Sequence, residues 1–129
     1  MKWNILTGLT FLSMLFAACQ GTLPNEESGD EAFKNLDVTA FKAKMNEENT
    51  IVLDVRTPEE TAQGVIEGAI ELDVKAPDFA EKVAQLDKDK SYLVYCRSGR
   101  RSVTACNIMA EEGFSDLYNL LGGYLEWSE

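Results

Sequence analysis

Tyr92-Leu93-Val94-Tyr95-Cys96-Arg97-Ser98-Gly99-Arg100-Arg101-Ser102 decides how the rest of the chain is read. A short apolar run comes first, then a polar loop, then a helix-like segment from Ser102 to Glu112. Strand, tight loop and helix in that order place Cys96 at the carboxyl end of a strand, where open α/β sheets bind ligands. Backbone N–H groups of the loop and of the first helical turn can point at the cysteine. Three arginines, Arg97, Arg100 and Arg101, fall within five positions of sequence. Donors and positive charge both favour a thiolate over a thiol, and an anion bound beside it. A cysteine after a strand is more often a small buried hydrophobe. The Arg, Ser and Gly neighbours of Cys96 argue against that reading and for a nucleophile. Gly99 permits the tight turn.

The remaining composition narrows the chemistry. The chain has 129 residues, 45% hydrophobic and 26% charged, as expected of one small globular domain. Its formal net charge of -10 argues against nonspecific binding to nucleic acid or anionic lipid. Against that acidic background the cluster of loop arginines stands out. Solvation explains dispersed surface charge; a knot of arginines beside a nucleophile reads better as an anion site. Histidine is absent. Activation of Cys96 by a histidine base and histidine-ligated metal sites are therefore excluded. Backbone dipoles and arginine charge must do that work. No metal or organic cofactor is expected. Cys106, among Val103, Ile108 and Met109, reads as a buried structural thiol.

Working outward, secondary structure alternates. Phe33 to Val38 reads as a short strand or lead-in segment. Thr39 is the expected cap of a helix over Ala40 to Asn46. Ile51-Val52-Leu53-Asp54-Val55 has the near-continuous apolar character of a buried parallel strand. Thr57-Pro58-Glu59-Glu60 carries a cap, a proline at the first helical position and early acids, and Gly64 ends that helix. Gly68 to Leu72 suggests a strand, and Pro77-Asp78 opens a helix running to about Leu86. Gly113 stops the helix after the loop. Asp116 to Leu120 is a last strand, Gly122-Gly123 a turn, and Tyr124 to Trp127 a closing helical turn. The alternation predicts an α/β fold, a small parallel sheet with helices on both faces. Parallel topology would bring Asp54 and Arg56 to the sheet edge that carries Cys96. Arg56 is expected to pair with Glu59 or Glu60, and Asp54 to brace the site through hydrogen bonds. Neither is expected to touch the reacting sulfur.

The amino end reads as a processing segment over residues 1–18. One positive charge at Lys2 precedes a mostly apolar run, Trp3 to Ala18, short for a membrane span. Ala17-Ala18-Cys19 at its end resembles a bacterial lipoprotein signal, although Phe16 departs from the leucine usual there. The resemblance implies a lipid on Cys19, which would hold the protein on a membrane surface. An ordinary secretory signal with Cys19 incidental is the other reading. Residues 19–31 are polar and acidic, with Glu26, Glu27, Asp30 and Glu31, and read as a flexible tether. The folded domain is expected over residues 32–129. An exported, lipid-anchored protein facing the periplasm or cell exterior, and a monomer, follow as expectations.

Four stretches taken together resemble the single-domain rhodanese-like sulfurtransferases. They are Leu53-Asp54-Val55-Arg56-Thr57-Pro58-Glu59-Glu60, Gly64-Val65-Ile66-Glu67-Gly68-Ala69-Ile70, Cys96 to Ser102, and Asn119-Leu120-Leu121-Gly122-Gly123-Tyr124 with Trp127. Val65 departs from the histidine often found there. The resemblance implies a rhodanese-like fold and a Cys96 persulfide. Sulfur would come from a small anion such as thiosulfate and pass to a thiol or cyanide. The Arg97, Ser98, Gly99, Arg100, Arg101 and Ser102 loop would bind the anionic sulfur. The related dual-specificity phosphatases place five residues between cysteine and arginine. Here four separate Cys96 from Arg101, a cradle better sized for sulfur than for phosphate. A sulfur carrier and a non-catalytic binding module are the remaining alternatives.

Overall fold

The computed structural model describes residues 31–129. The expected signal segment, the Cys19 lipidation site and nearly all of the expected tether lie outside the described residues.

Ten elements follow one another: β1 (Lys34–Leu36), α1 (Val38–Met45), β2 (Thr50–Asp54), α2 (Pro58–Thr61), β3 (Ile70–Glu71), α3 (Phe79–Ala84), β4 (Ser91–Tyr95), α4 (Arg100–Glu111), β5 (Leu117–Leu120) and α5 (Gly123–Trp127). The strands form one sheet in the order β1-β5-β4-β2-β3, and every pairing is parallel. All five loops that leave the strands therefore emerge at one edge. The predicted α/β fold with a parallel sheet is what forms.

Alternation along the strands divides the core into two layers. Leu53, Val55, Tyr92, Val94, Cys96 and Leu117 face α3 and α4, packing on Phe79, Val83, Ala105, Cys106 and Met109. Val52, Leu93, Tyr95, Tyr118 and Leu120 face α1 and α5, packing on Phe41 with Tyr124 and Trp127. β4 is central and buried from Tyr92 to Tyr95, as its apolar sequence requires of a strand covered on both faces.

Two helices, α1 and α4, start two residues earlier than expected. α1 is capped by Asp37 rather than Thr39, because the Asp37 carboxylate accepts from the Ala40 N–H at 2.8 Å. α4 begins at Arg100 rather than Ser102. Gly99 takes φ +97°, a left-handed conformation that lets the chain enter the helix immediately after the loop. The earlier start puts Ser102 in the first helical turn, where its N–H has no partner within the helix.

Candidate active site

β2 and β4 are in register, with Leu53 opposite Val94 and Asp54 opposite Tyr95. The Val55 N–H donates to the Tyr95 carbonyl at 3.0 Å, so Arg56 and Cys96 leave the sheet side by side. The loop that follows Cys96 then closes on the Cys96 sulfur. The Gly99 N–H donates to Cys96 Sγ at 3.1 Å. The Ser102 hydroxyl lies 3.4 Å from the same sulfur. Cys96 is fully buried. Burial by itself pushes a thiol pKa up. The Ser102 hydroxyl and the backbone N–H groups of Ser102, Gly99 and Ser98 outweigh it, and hold Cys96 below the ordinary thiol value. The site is thus built to stabilise negative charge on one sulfur with fixed dipoles.

The loop is held from behind by α5. The Tyr124 N–H donates to the Cys96 carbonyl at 2.8 Å and the Leu125 N–H to the Arg97 carbonyl at 3.1 Å. A Cβ at position 123 would lie 2.6 Å from the Arg97 and Cys96 carbonyl oxygens. Only glycine permits that approach, which accounts for Gly123.

The three loop arginines are not equivalent. Arg101 was expected to face an anion. It instead forms a two-pronged pair with Glu60, Nη1 to Oε1 at 2.7 Å and Nη2 to Oε2 at 2.8 Å. The Arg101 hydrogen bonds hold the Glu60 carboxyl down to about 2. Much of the Arg101 charge is therefore neutralised by a residue 41 positions away, and the guanidinium fastens α4 to α2. Arg97 and Arg100 are exposed, and no ion pair among the described residues engages either. Ser98 is also exposed.

Arg56 pairs with Asp54, not with Glu59 or Glu60. Its Nη2 donates to Asp54 Oδ2 at 2.7 Å and its Nε to Oδ1 at 3.0 Å. The reason is strand geometry: residues 54 and 56 share a side of the chain, and Glu60 is occupied by Arg101. Arg56 Nη2 also donates to the Gly64 carbonyl at 2.7 Å, and its guanidinium lies 4.2 Å from the Tyr124 ring centre. The Tyr95 hydroxyl donates to Asp54 Oδ2 at 2.5 Å and accepts from the Ile66 N–H at 2.9 Å. Asp54 and Arg56 are both buried. Truncating either would strand the other charge, at about 3–5 kcal/mol. The pair joins the β2 edge to the Gly64 carbonyl and the Tyr95 hydroxyl without contacting the Cys96 sulfur. Beside it opens a cleft of about 300 Å³, lined by Arg56, Glu60, Gln63, Arg97, Tyr124, Leu125 and Ser128. Cys106 is fully buried as expected, and neither it nor Cys96 is in a disulfide.

Sequence reasoning gave no site role to Tyr95, Tyr124 or Asn119, and gave Glu60 to Arg56 rather than to Arg101. Asn119 is a buried amide in the otherwise apolar stretch Leu117–Leu120, and that interruption was a readable signal.

Comparisons agree with this construction. The family description that matches is "Rhodanese-like domain", over residues 37–129. A Bacillus subtilis relative with the provisional name of sulfurtransferase, YtwF, is 39% identical over 95 residues, covering 73% of this chain and 89% of its own. A protein of Allochromatium vinosum named "Sulfurtransferase" is 36% identical over 81 residues, covering 63% of this chain and 74% of its own. The solved structure of a rhodanese-like domain protein from Staphylococcus aureus superimposes with a TM-score of 0.66 at 27% identity, covering 74% of this chain and 91% of that one. A parallel sheet that ends in a cysteine ringed by loop N–H donors, together with these matches, places the chain in the rhodanese-like family, among sulfurtransferases.

Proposed function

We propose that the protein transfers sulfane sulfur through a persulfide on Cys96, with thiosulfate as a competent donor. The observation that carries this reading is the set of backbone donors on the Cys96 sulfur, the Gly99 and Ser102 N–H groups, in a chain without histidine. The Cys96 thiolate attacks the outer sulfur of thiosulfate. A new S–S bond forms at Sγ, the donor S–S bond breaks, and sulfite leaves with the electron pair. Cyanide or a thiolate then attacks the outer sulfur of the persulfide. Thiocyanate or a new persulfide leaves, and the Cys96 thiolate is restored. Two half-reactions through a covalent intermediate give ping-pong kinetics. Arg97 and Arg100, exposed at the loop, draw the anionic donor in. The four-residue spacing from Cys96 to Arg101 favours this chemistry over phosphoester hydrolysis.

The test is mass measurement of the full chain after thiosulfate, with peptide-level localisation and a Cys96→Ser control. A gain of about 32 Da at Cys96, lost on reduction and absent from the control, is expected. No adduct with thiosulfate or any other persulfide donor, on a reduced Cys96, would count for the binding-module alternative. Slow release to small acceptors after fast loading would favour a carrier.

The Ala17-Ala18-Cys19 sequence supports an exported protein, lipidated at Cys19 and working as a membrane-held monomer in the periplasm or outside the cell. Cys19→Ala should then move the protein from the membrane fraction to the soluble one.

A further inference from the structure

Asn35 and Asn119 are register partners across the parallel strands β1 and β5. Both therefore lie on the face of the sheet that Cys96 and Ser102 occupy. Asn119 Nδ2 donates to Asn35 Oδ1 at 2.9 Å, and the Ser102 hydroxyl donates to Asn119 Oδ1 at 2.5 Å. The same hydroxyl lies 3.4 Å from Cys96 Sγ. A hydroxyl has one proton. While it donates to Asn119, it can only accept from Cys96. That arrangement suits a thiol, whose S–H donates to Ser102 Oγ. It does not suit a thiolate, which needs the Ser102 proton.

We infer that Asn119, together with Asn35, is a positioning residue that turns the Ser102 hydroxyl toward or away from the Cys96 sulfur. When Cys96 loses its proton to water, the Ser102 hydroxyl turns to donate to Sγ. With the amides unmoved, Ser102 Oγ and Asn119 Oδ1 would then face each other as two acceptors. A half-turn of the Asn119 amide replaces Oδ1 by Nδ2, which donates to Ser102 Oγ. Asn119 Oδ1 then faces Asn35, whose amide turns in step and donates in return. The oxygen and nitrogen of an amide are nearly the same size, so packing is preserved. Each arrangement leaves every buried polar atom partnered, which an apolar surround requires. Asn119 is 2% exposed, whereas Asn35 is exposed, so the chain of bonds runs from the buried sulfur to solvent. No proton passes through the amides.

The charged and titratable groups near this chain are few. Arg101 on α4 feels the Cys96 charge but is held by Glu60. Cys106, one α4 turn on from Ser102, also feels it. Lys34 adjoins Asn35 on β1.

The inference rests on Cys96 being the nucleophile proposed above, but its test needs no sulfur donor. In the full chain, the pH midpoint of iodoacetamide alkylation is measured on the Cys96 peptide. Asn35→Asp presents only acceptors, so it holds Asn119 Nδ2 outward and the Ser102 proton away from sulfur. Asn35→Lys presents only donors and does the reverse. The midpoint should rise by about half a pH unit or more with Asp and fall similarly with Lys, the size of one redirected hydrogen bond. Because it travels by hydrogen bonds, the difference should survive high salt and collapse in a Ser102→Ala background. Asn119→Leu should abolish it as well. A shift of unchanged size with Ser102→Ala, a shift removed by salt, or no shift would overturn the inference. Coupling without persulfide formation would instead fault the reading of function alone.

Discussion

Cys96 and Cys106 are both fully buried in the core layer between the sheet and helices α3 and α4, yet their thiols are shifted in opposite directions. Burial pushes Cys106 up to about 12, with the nearby Cys96 charge adding to it. Cys96 carries the same burden of burial and still lies below the ordinary thiol value. The difference is the backbone around each sulfur. Cys106 sits in the middle of α4, where N–H groups are spent on helix hydrogen bonds. Its Sγ finds only the Tyr118 carbonyl, at 4.0 Å, an acceptor that favours the thiol. Cys96 sits just before the helix, where the N–H groups of the loop and first turn are still available. Burial alone raises a thiol pKa; burial among free donors lowers it.

The largest expected effect comes from removing either sulfur in turn. Cys96→Ser should reduce sulfur transfer to background, while Cys106→Ala leaves it nearly intact, as steady-state assays would show. Full activity without Cys96 would erase the distinction. Next, Ser102→Ala removes the one side chain that can donate to the sulfur. A hydrogen bond to a charged group contributes about 1.5–3 kcal/mol, so the rate at neutral pH should fall about tenfold or more. The Cys96 alkylation midpoint should rise with it.

Alkaline stability sharpens the contrast from the other side. The Cys106 thiol is raised from 9.0 to about 12 in the folded protein. Its contribution to stability is present in full below about pH 9 and is lost as pH rises toward 12. Cys106→Ala should flatten the alkaline fall in unfolding temperature, at the cost of about 1 kcal/mol at neutral pH for the lost packing. Cys96 works with the opposite sign: lowered in the folded state, it contributes above its unfolded value and less as pH falls through its folded value. The smallest effect is expected for Glu60→Gln. Glu60 is lowered from 4.5 to about 2, so its stabilisation is lost as pH falls through that window. The variant should lose that part of the acid dependence in thermal melts. It should change turnover by less than about threefold, because the pair is partly exposed and well screened.

Much of this site could be read locally. Tyr92 to Ser102 carries its own strand, turn and helix start, so the cysteine, its donors and their place at the sheet edge follow from adjacent residues. Helix boundaries were less legible. Ser102 looked like the residue that begins α4, whereas Gly99 caps it, and that shift is what aims the Ser102 N–H at sulfur. Side-chain partners were least legible. Glu60 looked available to Arg56, yet it belongs to Arg101.

By itself the sequence determined the parallel α/β arrangement and the candidate nucleophile, since both arise from short-range patterns: strand, turn, helix, and a cysteine where free N–H groups cluster. Only the tertiary structure decided which charges are spent and which are free. Arg101 meets Glu60 across 41 positions, and Asn119 meets Asn35 across 84. Those meetings depend on strand order and register, which bring β1 beside β5 and α2 beside the start of α4. Periodicity says which face a side chain takes, but not which distant residue waits on that face.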